Sequence, residues 1–193
     1  MSYLFFDTET TGLPKKYNAP ISDLDNWPRL VQIAWLLTDD FGQVISEHEY
    51  IIKPNGFTIP EVASVIHGID NLKAHQEGGD LKNILNIFNK SLSDSSPILV
   101  AHNLMFDQNI LAAEFLRARM DTDFLSLKTI CTMKKSISFC DLPNRRFPKL
   151  SYLYYKLFNE DFDNAHNALA DVVACYRCFF ELKKRNIDLF PDI

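Results

Sequence analysis

Hydrophobic and polar positions change rhythm several times along the chain, and each change predicts an element. Residues 3–6 are an unbroken apolar run that stops at Asp7-Thr8-Glu9-Thr10-Thr11-Gly12, the pattern of a buried strand opening into a polar loop. Residues 30–38 (LVQIAWLLT) and 44–52 (VISEHEYII) flank Asp39-Asp40-Phe41-Gly42 and predict an antiparallel hairpin. Pro60 opens a short helix that stops near Gly68, and Asp80 caps another with Leu81, Ile84, Leu85, Phe88 and Leu92 along one stripe. Ile98–Ala101 (ILVA) is wholly apolar, as a central strand requires. A helix over 106–120 follows, with Ile110, Leu111, Phe115 and Leu116 turned inward, then a fifth strand over 124–130 and a helix over 150–158. The last helix, over 167–185, turns Leu169, Val172, Val173, Tyr176 and Phe180 inward. This order predicts an α/β fold, a mixed sheet with helices on its faces, with residues 14–29 as the one conspicuous loop.

Composition narrows the class. A chain of 193 residues, 47 % apolar and 23 % charged, fits one compact domain over 1–193 and excludes disordered or fibrous proteins. No apolar run approaches the ~20 residues that span a bilayer. The start, MSYLFFDTET, lacks a basic segment before its apolar residues, which predicts a cytoplasmic protein. Cys175 and Cys178 form a C-x-x-C pair inside a helical pattern with no second pair or nearby histidine, so they read as buried free thiols.

Net charge is −5, but its distribution is uneven. Between 124 and 158 stand Lys128, Lys134, Lys135, Arg145, Arg146, Lys149 and Lys156 against Asp141 alone, so this segment carries +6 and the remainder −11. Phe139, Phe147, Tyr152, Tyr154 and Tyr155 interleave with those cations. Such a segment either contacts a phosphate backbone and stacks on bases, or is a solvated face over core aromatics.

The carboxylates carry the chemistry. Asp7 and Glu9, spaced i and i+2 just past the first strand, aim at one side, where they repel each other unless a cation intervenes. Taken alone, this stretch is either a polar turn or a metal site. Asp107 opens the helix after ILVA, at the C-terminal sheet edge where ligands of α/β sheets collect. Asp171 stands among Leu169, Ala170, Val172 and Val173 near the start of the final helix. His166 precedes it by five residues, about 500° of helical rotation, so the two are no ordinary helical ligand pair. In the loop ahead of that helix, His166 suits a general base. His102 reads as structural. Four carboxylates without histidine or thiolate ligands select Mg²⁺ or Mn²⁺. Two such ions ~4 Å apart are a standard device for phosphodiester displacement, and they would bring the net charge from −5 to −1.

Phe6-Asp7-Thr8-Glu9-Thr10-Thr11-Gly12-Leu13, Ala101-His102-Asn103-Leu104-Met105-Phe106-Asp107 and His166-Asn167-Ala168-Leu169-Ala170-Asp171 resemble, in order, the three motifs of the DEDD 3′→5′ exonucleases. The histidine five residues before the last aspartate is similar to the DEDDh branch, which includes epsilon-type polymerase proofreading subunits. The resemblance implies a ribonuclease-H-like fold with a five-stranded mixed sheet, two Mg²⁺ or Mn²⁺ ions, and stepwise hydrolysis of nucleic acid, with DNA ahead of RNA, from a 3′ end to nucleoside 5′-monophosphates. It implies that Asp7 bridges both ions, Glu9 and Asp171 hold the ion serving the attacking water, Asp107 helps hold the other, and His166 takes the water's proton. Thr8, Leu13, His67, Asn103 and Phe106 match positions near a bound strand end. The competing readings are a 3′→5′ exoribonuclease and a polymerase-associated module. The tail Asn186-Ile187-Asp188-Leu189-Phe190 loosely resembles the short motif by which bacterial replication proteins bind the sliding clamp.

Overall fold

The computed structural model describes residues 1–189. Strands β1 (Ser2–Thr10), β2 (Leu30–Asp39), β3 (Val44–Ile51), β4 (Ile98–Ala101) and β5 (Thr129–Cys131) form one mixed sheet in the order β3-β2-β1-β4-β5. The β1–β2 and β2–β3 pairs are antiparallel; β1–β4 and β4–β5 are parallel. The helices are α1 (Glu61–His67), α2 (Asn71–Glu77), α3 (Leu81–Ser93), α4 (Leu104–Ala118), the single turns α5 (Thr132–Lys135) and α6 (Ile137–Cys140), α7 (Leu150–Phe158) and α8 (Ala168–Lys184).

Both sheet faces are covered, which is why β1, β2 and β4 read as continuous apolar runs. Leu4, Phe6, Trp35 and Leu99 pack with Ile84, Phe88, Leu111 and Phe115 of α3 and α4. Tyr3, Phe5, Leu36 and Val100 pack with Leu153, Val172, Cys175 and Phe179 of α7 and α8. Alternation along β1 thus divides adjacent aromatics between two layers: Phe5 meets Phe179 edge-on at 5.3 Å, and Phe6 meets Phe124 at 5.7 Å.

Pairing lengths create the site. β1 stays paired with β2 to its end, but its pairing with β4 stops at Phe5 opposite Val100. Asp7 through Thr10 therefore run on past β4, with one side of the strand open. Asp7 and Glu9 are strand residues, not loop residues as their polarity predicts.

Several expectations need correction. Phe124–Ser126 is a single 3₁₀ turn, and the fifth strand is confined to Thr129–Cys131. Phe124 reaches the core from the turn while Leu125 stays exposed, so no strand alternation exists there. Helix α2 is absent from the predicted order because only Ala74 is buried in it, too little for a stripe; Asp70 caps it through the N–H of Lys73. Leu116 is exposed, since α4 buries Leu111, Phe115 and Ala118 instead. In α8 the buried stripe is Ala168, Val172, Cys175, Phe179 and Leu182, with Leu169, Val173, Tyr176 and Phe180 at its margins.

The thiols behave as read: Cys140, Cys175 and Cys178 are buried and free. The Asp80 cap on α3 accepts from the N–H of Asn83, and Gly68 ends α1 at φ +73, a conformation that favours glycine. Leu189 of the clamp-like tail is 1 % exposed, and Ile187 packs beside the same α7–α8 layer. That leucine is core rather than a displayed anchor; Phe190 lies outside the described residues. Among the described residues, no helix is long and apolar enough to cross a membrane.

Candidate active site

Asp7 and Glu9 share the α8 face of β1, one turn of pleat apart. Asp171 arrives in the first turn of α8, and its Oδ2 accepts the backbone N–H of His166 at 2.9 Å. Glu9, His166 and Asp171 each present a donor atom within 4.8 Å of the other two. Asp107, in the first turn of α4, is 3 % exposed and faces the open side of β1. One of its oxygens accepts both the backbone N–H of Thr8, at 3.0 Å, and the Thr8 hydroxyl, at 2.7 Å. Asp107 thus takes a strand N–H left free where β4 ends.

These groups line one cleft of about 700 Å³, together with Thr8, Leu13, His67, Asn103 and Phe106. All ten sequence-predicted site residues therefore come together. The burial that assembles the carboxylates makes their charge costly. Asp7 is pushed well above the usual carboxylate range, first by burial and then by the charges of Asp107, Asp171 and Glu9. Burial and the same neighbours push Glu9 up to about 8. Burial pushes Asp107 up to about 7 against the opposing hydrogen bonds from Thr8, and Asp171 is raised against the N–H of His166. Four acids whose ionised forms repel one another, with oxygen donors throughout, fit divalent cations.

His166 is exposed and stands in a left-handed conformation (φ +71) immediately before Asn167, the N-cap of α8. That turn swings its ring off the helix face, as the five-residue spacing requires. His102 is held instead. Its Nε2 faces the carbonyl of Pro148 and its Nδ1 the hydroxyl of Thr132, each at 3.0 Å. A carbonyl only accepts, so the partners assign the ring proton to Nε2, and Nδ1 accepts from Thr132. Burial lowers its pKa to about 4, so His102 is a neutral strut tying the end of β4 to the basic 141–149 loop.

The neighbouring residues fit a bound strand end unequally. His67 is 8 % exposed; its Nδ1 accepts the N–H of Ile69, so the neutral ring carries its proton on Nε2, which faces the Thr10 backbone without a well-formed hydrogen bond among the described residues. A donor held this loosely at the edge of the cleft suits an acceptor on a ligand. Asn103 caps α4 with its backbone in the left-handed region (φ +67), and its side chain makes no capping hydrogen bond among the described residues. Leu13 is 72 % exposed and so is not core, whereas Phe106 is half-buried and packs on the edge of the α3–α4 core while lining the cleft. Gly12, at φ +149, lets the chain turn into the loop after Thr10, whose hydroxyl donates to the Gly12 carbonyl at 2.6 Å.

Sequence reasoning missed Tyr17, Val62 and Ile66, which also line the cleft. A seven-residue helix buries only one face, and α1 buries Ala63 and His67. The exposed row Val62, Val65 and Ile66, at spacings of three and four, was the available signal of a lip rather than a core.

A mixed sheet of this order, with acids gathered where its central strand outruns a neighbour, defines a ribonuclease-H-like nuclease fold. The family model described as RNase_T exonuclease matches residues 4–179, and the chain belongs to that exonuclease family. Ribonuclease T from Buchnera aphidicola subsp. Baizongia pistaciae is 30 % identical over 124 residues, 59 % of this chain and 54 % of that protein. A PolC-type DNA polymerase III from Lacticaseibacillus paracasei is 25 % identical over 97 % of this chain but only 12 % of its own length. Escherichia coli exonuclease I in complex with a dT13 oligonucleotide superposes with a TM-score of 0.78 at 21 % identity, over 96 % of this chain and 41 % of that one. A zinc-bound form of an exonuclease I complex with single-stranded DNA superposes at 0.76, with 22 % identity, 95 % and 40 %. The chain thus spans about half, or less, of the proteins it matches.

Proposed function

We propose that this chain is a divalent-metal-dependent 3′→5′ exonuclease that releases nucleoside 5′-monophosphates from single-stranded DNA ends. The convergence of Asp7, Glu9, Asp107 and Asp171 with the His166 imidazole in one cleft carries the reading. Mg²⁺ or Mn²⁺ are the ions the oxygen donors favour. Asp7, whose charge meets those of all three other acids, would share both ions, with Glu9 and Asp171 helping to hold one and Asp107 the other. When bound, the ions supply Lewis acidity toward water and toward the phosphodiester oxygens.

The chain's own residues do the rest. His166, exposed and beside Glu9 and Asp171, accepts the proton of the attacking water. The Nε2–H of His67 and the amide of Asn103 bind acceptors of the terminal nucleotide, Thr8 keeps Asp107 aimed, and Leu13 and Phe106 flank the base or sugar. Val62 and Ile66 extend that apolar wall and keep bulk water from the terminal nucleotide. Beyond the cleft, Arg145, Arg146, Phe147, Lys149, Tyr152 and Tyr155 are exposed, and Arg145, Arg146 and Lys149 form no ion pair among the described residues. This half of the basic segment supports the strand-contacting reading. The other half does not: Tyr154 is core, and Lys156 donates to the Cys140 carbonyl at 2.7 Å and lies over the Phe139 ring.

Exonuclease I complexes with dT13 and dA16 favour DNA, and the similarity to ribonuclease T supports RNA as the second substrate. A polymerase partner has the PolC similarity in its favour, whereas the buried Leu189 speaks against docking on a sliding clamp through the tail. Oligomers of DNA and RNA labelled at either end, incubated with Mg²⁺, Mn²⁺ or EDTA and resolved by length, test the whole reading. Ladders shortening from the 3′ end only with metal support it; cleavage in EDTA or from the 5′ end refutes it.

A further inference from the structure

Glu49 stands on the outer strand of the sheet, 117 positions before His166 in the sequence, yet its side chain is knotted to the turn that carries that histidine. Glu49 Oε1 accepts two amide donors: Gln32 Nε2 at 2.7 Å and Asn167 Nδ2 at 3.0 Å. The remaining atom of each amide is also committed. Gln32 Oε1 accepts the backbone N–H of Ala168 at 3.1 Å, and Asn167 Oδ1 accepts that of Ala170 at 3.0 Å.

The ring has one self-consistent assignment. Both amide oxygens face backbone N–H groups, which only donate, so both amide nitrogens point at position 49, which must supply an acceptor. Gln32 is 3 % exposed and lies directly opposite Glu9 in the β1–β2 register; Glu49 is its diagonal neighbour on β3, on the same sheet face. The two residues immediately after His166 are thereby fastened to the sheet, Ala168 to β2 beside Glu9 and Asn167 to β3. His166 itself is tied through its N–H to Asp171 Oδ2 at 2.9 Å, and Asn164 and His166 both adopt left-handed backbone.

We infer that Glu49, acting through Gln32 and Asn167, is a positioning residue that holds the His166 imidazole over Glu9 and Asp171. This rests on the nuclease reading only for its kinetic readout. A misplacement of about 1 Å at a reacting group costs rate steeply while leaving substrate binding nearly intact, so the effect falls on kcat rather than KM. Because both donors converge on a single oxygen, a glutamine carbonyl at position 49 serves them equally, and charge is dispensable.

The test is a double-mutant cycle on the full chain with a labelled single-stranded oligomer and Mg²⁺. Glu49→Ala should lower kcat about tenfold or more with KM changed less than about twofold, and Glu49→Gln should recover most of that loss. In a His166→Ala background the Glu49→Ala change should cost almost nothing, because its route to the reaction is gone. Asn167→Ser, which keeps an acceptor for the Ala170 N–H but deletes the donor to Glu49, should reproduce the Glu49→Ala loss and guards against a fold defect peculiar to one variant. The His166 ring resonance, assigned by its disappearance in His166→Ala, should move or broaden in Glu49→Ala and not in Glu49→Gln, whether or not the protein turns over. Wild-type kcat in Glu49→Ala, an undiminished penalty in the His166→Ala background, or an unmoved His166 resonance would each overturn the inference. An inactive wild type would overturn the nuclease reading, and the resonance would then decide this one.

Discussion

Thr8 and Asp107 are joined twice, through the backbone N–H and the hydroxyl of Thr8, on the same carboxylate oxygen. Both bonds oppose the upward push of burial on the Asp107 pKa. Thr8→Val keeps the shape of this buried side chain but deletes the shorter of the two bonds. The variant should cost about 1–2 kcal/mol of stability and raise the Mg²⁺ concentration for half-maximal turnover several-fold. Thermal melts and a metal titration of the rate check both parts; an unchanged metal requirement would separate Thr8 from the site.

Asp7 sets function against stability. Its buried carboxylate meets three like charges, so Asp7→Asn removes repulsion while removing an oxygen donor. Turnover should vanish, whereas the metal-free protein should gain on the order of 1–2 kcal/mol near neutral pH. Mg²⁺ should raise the melting temperature of the wild type and barely that of the variant. Melts in EDTA and in Mg²⁺ read both effects; a destabilised variant would mean that Asp7 is structural.

The same groups make metal-free stability depend on pH with a definite sign. Glu9 is raised to about 8 and Asp107 to about 7, with Asp7 raised in the same direction. Unfolded, all three lose their protons near pH 4. Above about pH 6.5, where the buried histidines, His102 held to about 4 among them, are largely neutral in both states, these acids leave the folded chain with more protons than the unfolded one, so stability falls as pH rises. In EDTA the melting temperature should decline from about pH 6.5 to pH 8, and saturating Mg²⁺ should flatten the decline. A rise over that interval in EDTA would show that the acids are not gathered as described.

What was legible in the sequence depends on how local the cause is. The two-residue spacing of Asp7 and Glu9, the Asp80 cap and the Pro60–Gly68 bounds of α1 are written within a few residues, and each holds. The buried face of α8 was read only in part: Val172 is buried as expected, but the stripe runs on through Ala168, Cys175 and Cys178, whose small or polar character gives no apolar signal, to Phe179 and Leu182, while Leu169, Val173, Tyr176 and Phe180 lie at its margins. Helix α2 has one buried residue and so no periodicity to read. The motif residues of the cleft carried their resemblance with them, but Val62 and Ile66 did not, since an exposed apolar lip and a core stripe share one pattern. The ring of Glu49, Gln32 and Asn167 was invisible because its members meet only after β2, β3 and α8 are assembled.

The basic 141–149 loop offers the last test, because its charge has no structural use of its own. Arg145, Arg146 and Lys149 are exposed, make no ion pair among the described residues, and sit on a loop that His102 ties to the cleft through Pro148. If they track a phosphate backbone, neutralising all three should weaken single-strand binding and reduce the slope of log K against log salt by about 2, since each contact on a single strand contributes about 0.7. Single-turnover rates at saturating oligomer should stay near wild type, as none of the three lines the cleft. Phe147→Ala should add a loss that salt does not modulate, of about 1–3 kcal/mol for one stacked base. Fluorescence anisotropy across a salt series reads both effects. An unaltered slope in the triple variant would place the strand's path elsewhere on the surface, leaving the cleft chemistry untouched.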